Sequence, residues 1–273
     1  MSFPTWSDLN DDSLIPPLGA RYAPDIGQFA FMVSTEPDVR YLEANSADKR
    51  CVPFFLGRLF TLKNDATVAG PYLGSPSAAM ILESLITKGA SRVVVVGWCG
   101  SLSDDLRAGD ILIPDSAISD EGTSRNYMEM PQSDDCEKFC GNGLKKVSDF
   151  PTVWPSSTLS QTLKASLEEH GIECKTGKVW TTDAIYRETR RKVDFFAKMG
   201  AVAVEMECSA LFAVARYRKI DLASILIVSD TLSKEEWEPG FKAKRFKESR
   251  RKVLDMILND FHRNPFYDEK LRQ

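Results

Sequence analysis

Histidine is nearly absent from this chain, with two residues, His170 and His262, among 273. Six cysteines are spread along the chain and do not show the spacing of a disulfide framework. Cys136 and Cys140 are four residues apart, and we interpret them as reduced thiols in a polar insertion rather than as a bridge or a metal site. With so few histidines, the sequence predicts no zinc site.

Long apolar runs and clustered positive charge are also missing. The longest apolar stretches, near 93–96 and 222–228, have the length of buried strands and not of membrane-spanning helices. The net charge is −4, and no lysine and arginine block is long enough to indicate nucleic-acid binding. The N-terminus has neither the basic start nor the apolar core of a signal peptide. We therefore expect a cytoplasmic protein with no membrane or nucleic-acid partner.

What the chain does have is a repeated order of amphipathic helix, glycine and apolar strand. In the clearest copy, Ser75 is the expected N-cap and Gly89 the helix end. Three copies cover 75–97, 160–180 and 188–205, and a last helix and apolar strand follow at 208–228. Because helices alternate with apolar strands, the sequence predicts one α/β domain over 1–273, with a parallel or mixed sheet covered on both faces.

Three segments depart from this pattern. Residues 1–28 are rich in proline, glycine and aspartate and are predicted to form an N-terminal arm. Residues 120–155 are polar and weakly periodic, which indicates a long insertion or lid. Residues 241–261 have apolar positions at helical spacing and a basic face, which predicts a closing amphipathic helix exposed to solvent on that face.

Carboxylates recur at the ends of the predicted strands. They are Asp183, the pair Glu205 and Glu207, and Asp230. Each alone is an ordinary residue for a turn or a helix start. In open α/β sheets, however, ligands bind beyond the carboxyl ends of the strands. Their recurrence there predicts an acidic cleft.

Two motifs carry a family resemblance. The stretch AVAVEMECSALF occupies 201–212, and ILIVSD follows at 225–230. With matching segments at 94–100, 108–114 and 182–186, their order resembles the nucleoside phosphorylase family. That branch includes uridine phosphorylase, bacterial hexameric purine nucleoside phosphorylase and the methylthioadenosine nucleosidases. The resemblance covers about 29–261.

The resemblance has consequences for fold and assembly. It implies a three-layer α/β/α, phosphorylase/hydrolase-like fold whose mixed central sheet is partly barrel-like. It also implies a homo-oligomer in which a neighbour completes the active site, a small-molecule nucleoside as substrate, and no metal or organic cofactor.

The resemblance also implies a reaction, the cleavage of the N-glycosidic bond of a purine-type nucleoside. Glu207 would hold the ribose hydroxyls, and Asp230 would protonate N7 of the leaving base by general acid catalysis. Pyrimidine-specific members usually have an arginine after the last strand, so Asp230 favours a purine. The remaining substrate contacts that it implies are Met206, Glu205, Ser229, Ile185, Tyr186, Trp98, Cys99 and Gly100.

The family's phosphate loop, G-D-P-x-R, is matched only in part. Thr35 stands in place of its glycine, and the arginine, Arg40, is displaced by one or two positions. Val95 or Val96 stands where a second arginine is expected, and Trp98 stands where a hydroxyl is expected. The candidate phosphate ligands that remain are Thr35, Arg40, Arg50 and Gly97.

Two reactions follow from this partial match. In the first, Arg40 and Arg50 rebuild a phosphate site, and phosphorolysis gives free base and ribose 1-phosphate. In the second, Trp98 fills that site, Glu36 positions a water, and a methylthioadenosine- or futalosine-like nucleoside is hydrolysed. Uridine phosphorylase activity and a non-catalytic nucleobase-binding protein are further alternatives. We expect phosphorolysis with phosphate as co-substrate.

Overall fold

The computed structural model describes most of the chain, in the ranges 9–10, 13–17, 26–46, 51–62, 66–128, 150–234 and 236–259. Its strands are β1 (Phe29–Val33), β2 (Cys51–Phe54), β3 (Gly57–Thr61), β4 (Thr67–Gly70), β5 (Arg92–Ser101), β6 (Ile111–Asp120), β7 (Thr152–Val153), β8 (Cys174–Thr182), β9 (Ala201–Glu205), β10 (Asp221–Thr231) and β11 (Glu238–Pro239). Its helices are α1 (Glu36–Asn45), α2 (Ser75–Thr87), α3 (Ser157–Glu169), α4 (Arg190–Lys198), α5 (Cys208–Arg218) and α6 (Lys244–Asn259).

The strands join in one mixed sheet of eleven strands. Five of them close on themselves, because β5 pairs with β10, β10 with β6, β6 with β8, β8 with β9, and β9 with β5. From β5 the sheet continues outward through β1, β4, β3 and β2. The predicted partly barrel-like sheet is confirmed.

Helices cover the sheet on both sides. Helices α2 and α5 pack into one apolar cluster with residues of β5 and β10, and α1, α3 and α6 pack into another on the opposite face. The stacked rings of Trp180 and Phe196, with centroids 4.3 Å apart, lie in a third cluster that attaches α4. The predicted three-layer α/β/α architecture is therefore confirmed.

Element boundaries differ from the predictions in two places. Helix α2 is capped by Gly74, whose φ of 78° lies in the left-handed region, and Ser75 is the first helical residue. Ser75 cannot be the N-cap because its hydroxyl donates instead to the carbonyl of Met206, at 2.7 Å. Strand β5 continues past Gly97 to Ser101, since its last residues pair with both β9 and β10.

The structure describes part of each segment that departs from the repeated helix–strand pattern, namely 1–28, 120–155 and 241–261. In the N-terminal arm, the Leu9 carbonyl accepts a hydrogen bond from the Tyr217 hydroxyl at 3.0 Å. Both ends of the 120–155 insertion are described, and its return strand β7 pairs with β6. Residues 129–149, with Cys136 and Cys140, and His262 lie outside the described residues. No helix in the described ranges is long and apolar enough to cross a membrane.

Candidate active site

A cavity of about 620 Å³ opens where the ends of β5, β9 and β10 meet. It brings together most of the residues that the sequence singles out: Thr35, Trp98, Cys99, Gly100, Ile185, Tyr186, Glu205, Met206, Glu207, Ser229 and Asp230. Residues that sequence reasoning did not single out complete the wall: Ser34, Tyr72, Leu73, Glu188, Val204, Leu232, Trp237 and Phe241.

Gly100 lets three strands meet at the cavity. It pairs with Val204 of β9 on one side and with Asp230 of β10 on the other. A Cβ at Gly100 would lie 2.5 Å from Leu232 Cδ1 and 3.1 Å from Asp230 Oδ2. The β10 register shifts between Val228 and Asp230, as a bulge does. A side chain at this position would have to displace Leu232 and would crowd the Asp230 carboxyl.

Both oxygens of Asp230 accept hydrogen bonds. The Ser229 hydroxyl lies 2.5 Å from Oδ1 and also 3.1 Å from the Cys99 carbonyl oxygen. The Trp237 indole Nε1 donates to Oδ2 at 2.7 Å. The Ser229 hydroxyl has one proton, so it donates either to Asp230 Oδ1 or to the Cys99 carbonyl oxygen at any one time. The hydroxyl and the indole together hold the Asp230 carboxyl in place.

The turn after β9 orients Glu205 and Glu207 differently. Glu205 Oε2 accepts the backbone N–H groups of Glu207 and Cys208, both at 2.7 Å, and Oε1 accepts the Thr181 hydroxyl at 2.5 Å. Glu205 thus caps the start of α5. Glu207 Oε1 accepts the backbone N–H of Gly74 at 2.6 Å. The start of α2 therefore fixes the turn that presents Met206 and Glu207 to the cavity.

These two glutamates are a coupled buried pair. Burial, and then the charge of Glu205, raise the pKa of Glu207 to about 8. Burial also raises the pKa of Glu205, while the hydroxyl and amide donors around it lower that pKa. Because Glu205 accepts three hydrogen bonds, we assign the negative charge of the pair to Glu205 near neutral pH.

A buried ionic cluster lies behind the cavity wall formed by Thr35 and Trp98. Its centre is Asp38, which is 0% exposed. Asp38 Oδ2 accepts the Thr35 hydroxyl and the Trp98 indole N–H, both at 2.8 Å. Arg250 of α6 donates to Oδ1 from Nε at 2.8 Å, and its guanidinium lies 4.8 Å from the Trp98 ring centroid. We call these four residues the Asp38 cluster.

Arg40, which the resemblance implies as a phosphate ligand, does not line the cavity of its own protomer. Its side chain is 74% exposed, and Nε donates to Glu36 Oε1 at 2.6 Å. The helical turn of α1 directs Val39 into the core and Arg40 outward. Glu36, which is predicted to position a water, also accepts from Arg58 and lies outside the cavity wall.

Two other predicted groups lie elsewhere. Gly97 is buried within β5, where a Cβ would meet the Ser34 hydroxyl at 3.1 Å, and it is not part of the cavity wall. Its contact with phosphate stays a prediction. Asp183 accepts the Gly122 backbone N–H at 3.0 Å, outside the wall. Arg50 lies outside the described residues.

Among the described residues, the ionisable side chains with charge at neutral pH that line the cavity are all acidic. Four carboxyl groups line it, those of Glu188, Glu205, Glu207 and Asp230. Among the described residues, no lysine, arginine or histidine side chain lines it. Nor does the described part of the chain contain a cluster of three or more side chains suited to holding a metal ion. A phosphate dianion in this cavity would need positive charge from outside the described residues of one protomer.

The residues missed by sequence reasoning lie just beyond the recognised motifs. Glu188 follows Ile185 and Tyr186 by a few positions, and Trp237 and Phe241 follow Asp230 in a polar stretch. Large aromatic residues in such a loop are a usable sequence signal, and the structure places Trp237 and Phe241 in the cavity wall. Glu188 carried no comparable signal.

Comparisons with known proteins agree with this geometry. The Phosphorylase superfamily profile matches residues 22–259. The chain is 30% identical, over 192 residues, to the purine nucleoside phosphorylase DeoD-type of Caldanaerobacter subterraneus subsp. tengcongensis, which covers 70% of this chain and 72% of that protein. It is 28% identical, over 168 residues, to a guanosine phosphorylase of Halorubrum lacusprofundi, which covers 62% of each.

A solved structure matches most of the fold. The purine nucleoside phosphorylase of Toxoplasma gondii in complex with immucillin-H superposes with a TM-score of 0.71. It is 18% identical and covers 86% of this chain and 90% of that chain. At that identity the similarity concerns the fold. The alignment with the guanosine phosphorylase spans less than two thirds of that protein's length.

Proposed function

This chain belongs to the phosphorylase superfamily, and from that membership we propose that it cleaves the N-glycosidic bond of a purine nucleoside. The observation that carries the proposal is that Asp230 and Glu207 line the same cavity. The similarity to a purine nucleoside phosphorylase and a guanosine phosphorylase supports phosphorolysis, which gives free base and ribose 1-phosphate.

At the base end of the cavity, Asp230 is the residue to which we assign protonation of the leaving base. As the C1′–N9 bond breaks, its electron pair stays on the base, and a proton delivered to N7 neutralises that charge. For this role the carboxyl of Asp230 has to carry a proton when the C1′–N9 bond breaks. Trp237 must also release Oδ2 if that oxygen is to face the base.

At the sugar end of the cavity, we assign binding of the ribose to Glu207 and Met206. A carboxylate that accepts from the ribose hydroxyls fixes the ring and stabilises the positive charge that develops at C1′. Gly74 already holds one Glu207 oxygen, so the carboxyl does not have to be ordered during the reaction. Met206 offers an apolar surface to the sugar.

We expect Glu207→Gln to affect ribosides more than 2′-deoxyribosides. A hydrogen bond to a charged group contributes about 1.5–3 kcal/mol, so kcat/KM for ribosides should fall roughly 10- to 150-fold. Because the pKa of Glu207 is raised to about 8, wild-type kcat/KM should rise with pH as this group ionises, and the variant should lose that dependence. A uniform loss on both sugar classes would instead indicate a structural glutamate.

Phosphate would have to enter beside Ser34, Thr35 and Trp98, on the side of the cavity away from the base. The required positive charge would come from Arg50 or from a neighbouring subunit. Apolar side chains at the cavity mouth support a neighbour, since Leu73 is 76% and Tyr186 97% exposed. We propose a homo-oligomer that shares its active sites. Light scattering that gave a monomer mass would contradict it.

Hydrolysis is the second candidate, and the Asp38 cluster favours it. There an internal carboxylate already accepts the hydroxyl, indole and guanidinium donors that an anion would use. A water could then attack C1′ in place of phosphate, and the products would be free base and ribose. A cytoplasmic location, a single domain and the absence of an organic cofactor are also part of the proposal.

The deciding experiment is a substrate panel assayed with and without phosphate. The panel is adenosine, inosine, guanosine, 5′-methylthioadenosine, futalosine and uridine, and the measurement is release of free base. We expect release from purine nucleosides that depends on phosphate. Release independent of phosphate would establish hydrolysis, release from uridine alone would contradict the purine assignment, and no release would favour a nucleobase-binding protein.

A further inference from the structure

A row of buried polar side chains crosses three neighbouring strands and ends at the cavity. Ser119 of β6 pairs in register with Thr181 of β8, and Thr181 pairs with Glu205 of β9. All three are buried, and of these only Glu205 lines the cavity. Burying polar groups costs free energy unless they are hydrogen-bonded, and each of these side chains has a partner. The row therefore links the sugar end of the cavity to the end of β6.

The Thr181 hydroxyl connects Glu205 to the start of α5. Its oxygen accepts the backbone N–H of Ser209, which lies in the first turn of α5, at 3.0 Å. A hydroxyl that accepts this bond still has one proton to donate, and Glu205 Oε1 lies 2.5 Å away. The position of Ser209 thus affects how Thr181 meets the glutamate that fixes the turn after β9.

Glu121 joins the same network from the turn after β6. Its Oε1 accepts the hydroxyls of Ser209 and Ser119, both at 3.0 Å. Its Oε2 accepts the backbone N–H groups of Thr123 and Ser124, at 2.5 and 3.2 Å. The carboxyl is buried and does not line the cavity. One carboxyl group therefore fixes its own turn and also the start of α5, 88 positions further along the chain.

We propose that Glu121 is a positioning residue for sugar binding, which acts through Ser209 and Thr181 on the turn that presents Glu207. This inference rests on the proposed function, because that function assigns ribose binding to Glu207. Gly74 holds the side chain of Glu207, whereas the network that starts at Glu121 holds its backbone N–H. Both anchors are needed if the carboxyl is to meet the ribose hydroxyls without reordering.

Removal of the Glu121 carboxyl would take the acceptor from buried donors on both sides of it. Buried donors seldom stay unpaired, so the start of α5 and the turn after β6 would shift to find new partners. A shift of α5 reaches Glu205 through Thr181, and Glu205 holds the backbone N–H of Glu207. The defect is therefore expected at the sugar end of the cavity and not at the base end.

The test compares adenosine and inosine, each with its 2′-deoxyriboside, because only the ribosides offer both hydroxyls to Glu207. For Glu121→Ala, kcat/KM for the ribosides should fall roughly 10- to 100-fold, since a misplacement of about 1 Å can cost about 10²-fold. The 2′-deoxyribosides should lose several-fold less. Glu121→Gln should keep most of the wild-type ratio, because serine hydroxyls can accept from its amide as well as donate to it.

Glu83→Gln is the matched control at the other end of α5. Glu83 is also a buried glutamate, and it accepts two hydrogen bonds from Arg218, at 2.8 and 3.0 Å. Its substitution weakens the attachment of α5 to α2 but does not touch the network around Glu121. The ratio of riboside to 2′-deoxyriboside kcat/KM should stay at the wild-type value. A change as large as that in Glu121→Ala would overturn the inference, since any loosening of α5 would then suffice.

Two further variants separate positioning from a general loss of stability. Ser209→Ala removes only the hydroxyl that joins α5 to Glu121, and alanine is favourable in a helix, so the fold should persist while the ratio falls. In the Glu207→Gln background, Glu121→Ala should cost little further riboside activity, because both changes act on one interaction. Additive losses, or equal losses on ribosides and 2′-deoxyribosides, would overturn the inference and leave the proposed function intact.

Calorimetric Kd values for adenosine and 2′-deoxyadenosine, measured without phosphate, give the same comparison if no base is released. A riboside preference in Kd that Glu121→Ala removes, with no riboside cleaved, would support the positioning role and contradict the proposed function. A wild-type protein that prefers ribosides neither in Kd nor in kcat/KM would overturn the inference, even if it cleaves both sugar classes.

Discussion

Asp230→Asn is expected to lower kcat on purine nucleosides by about 10²–10⁴-fold, the range typical for loss of a general acid. An amide keeps the shape of the side chain but cannot pass a proton to N7. Substrates whose leaving group needs no proton, such as 4-nitrophenyl riboside, should lose far less. Steady-state kinetics on both substrate types measure the difference directly.

The matched control for this variant lies at the other end of the same strand. Asp221 begins β10 and accepts the Ser156 hydroxyl at 2.5 Å, a contact that asparagine also allows. Asp221→Asn should leave both activities near the wild-type values. If Asp230→Asn reduced activity on both substrate types equally, Asp230 would be a binding or structural residue and not the acid.

Asp38→Ala should lower the free energy of unfolding by about 3–5 kcal/mol, the range found when one partner of a buried ion pair is removed. The loss leaves the Arg250 guanidinium, whose side chain is 18% exposed, without its carboxylate, and it removes the acceptor of the Thr35 hydroxyl and the Trp98 indole. Urea denaturation followed by tryptophan fluorescence measures the change. Loss of α6 packing should accompany it.

Two companion variants test whether the loss of stability comes from the Asp38–Arg250 pair or from removing any carboxylate from α1. Glu36→Ala removes a carboxylate from the same helix, but its pairs with Arg40 and Arg58 are partly exposed, so the cost should stay under about 1 kcal/mol. Arg250→Met combined with Asp38→Ala should recover much of the stability, because no uncompensated charge remains. Equal losses for Asp38→Ala and Glu36→Ala would contradict the importance of the cluster.

The sequence predicted the sheet and the base and sugar carboxylates because these depend on local signals. Helix periodicity and apolar strands are read within short windows, and a carboxylate at a strand end has a defined position in an α/β sheet. The motif at 201–212 with Ser229 and Asp230 placed Glu207 and Asp230 correctly in one cavity. Their catalytic roles remain predictions.

The Asp38 cluster, beside which we propose that phosphate or water enters, could not be predicted in the same way. Asp38 and Arg250 meet across 212 positions of sequence, and neither residue type is unusual in its own helix. Arg40 looked like a phosphate ligand by spacing alone, but one turn of α1 directs it outward beside Glu36. Such side-chain directions depend on helix phase and tertiary contacts, which a single sequence leaves open.

The closed ring of five strands fixes the spacing between residues on opposite sides of the cavity. Glu205 is the last residue of β9 and Asp230 is the last but one of β10, and both strands are hydrogen-bonded to β5, one on each side. The backbones of these two residues are thus separated by two strand spacings, about 10 Å. A change in this spacing would disturb the strand pairing of the ring. New base preferences should therefore arise in the turns above it, where Glu188 and Trp237 lie.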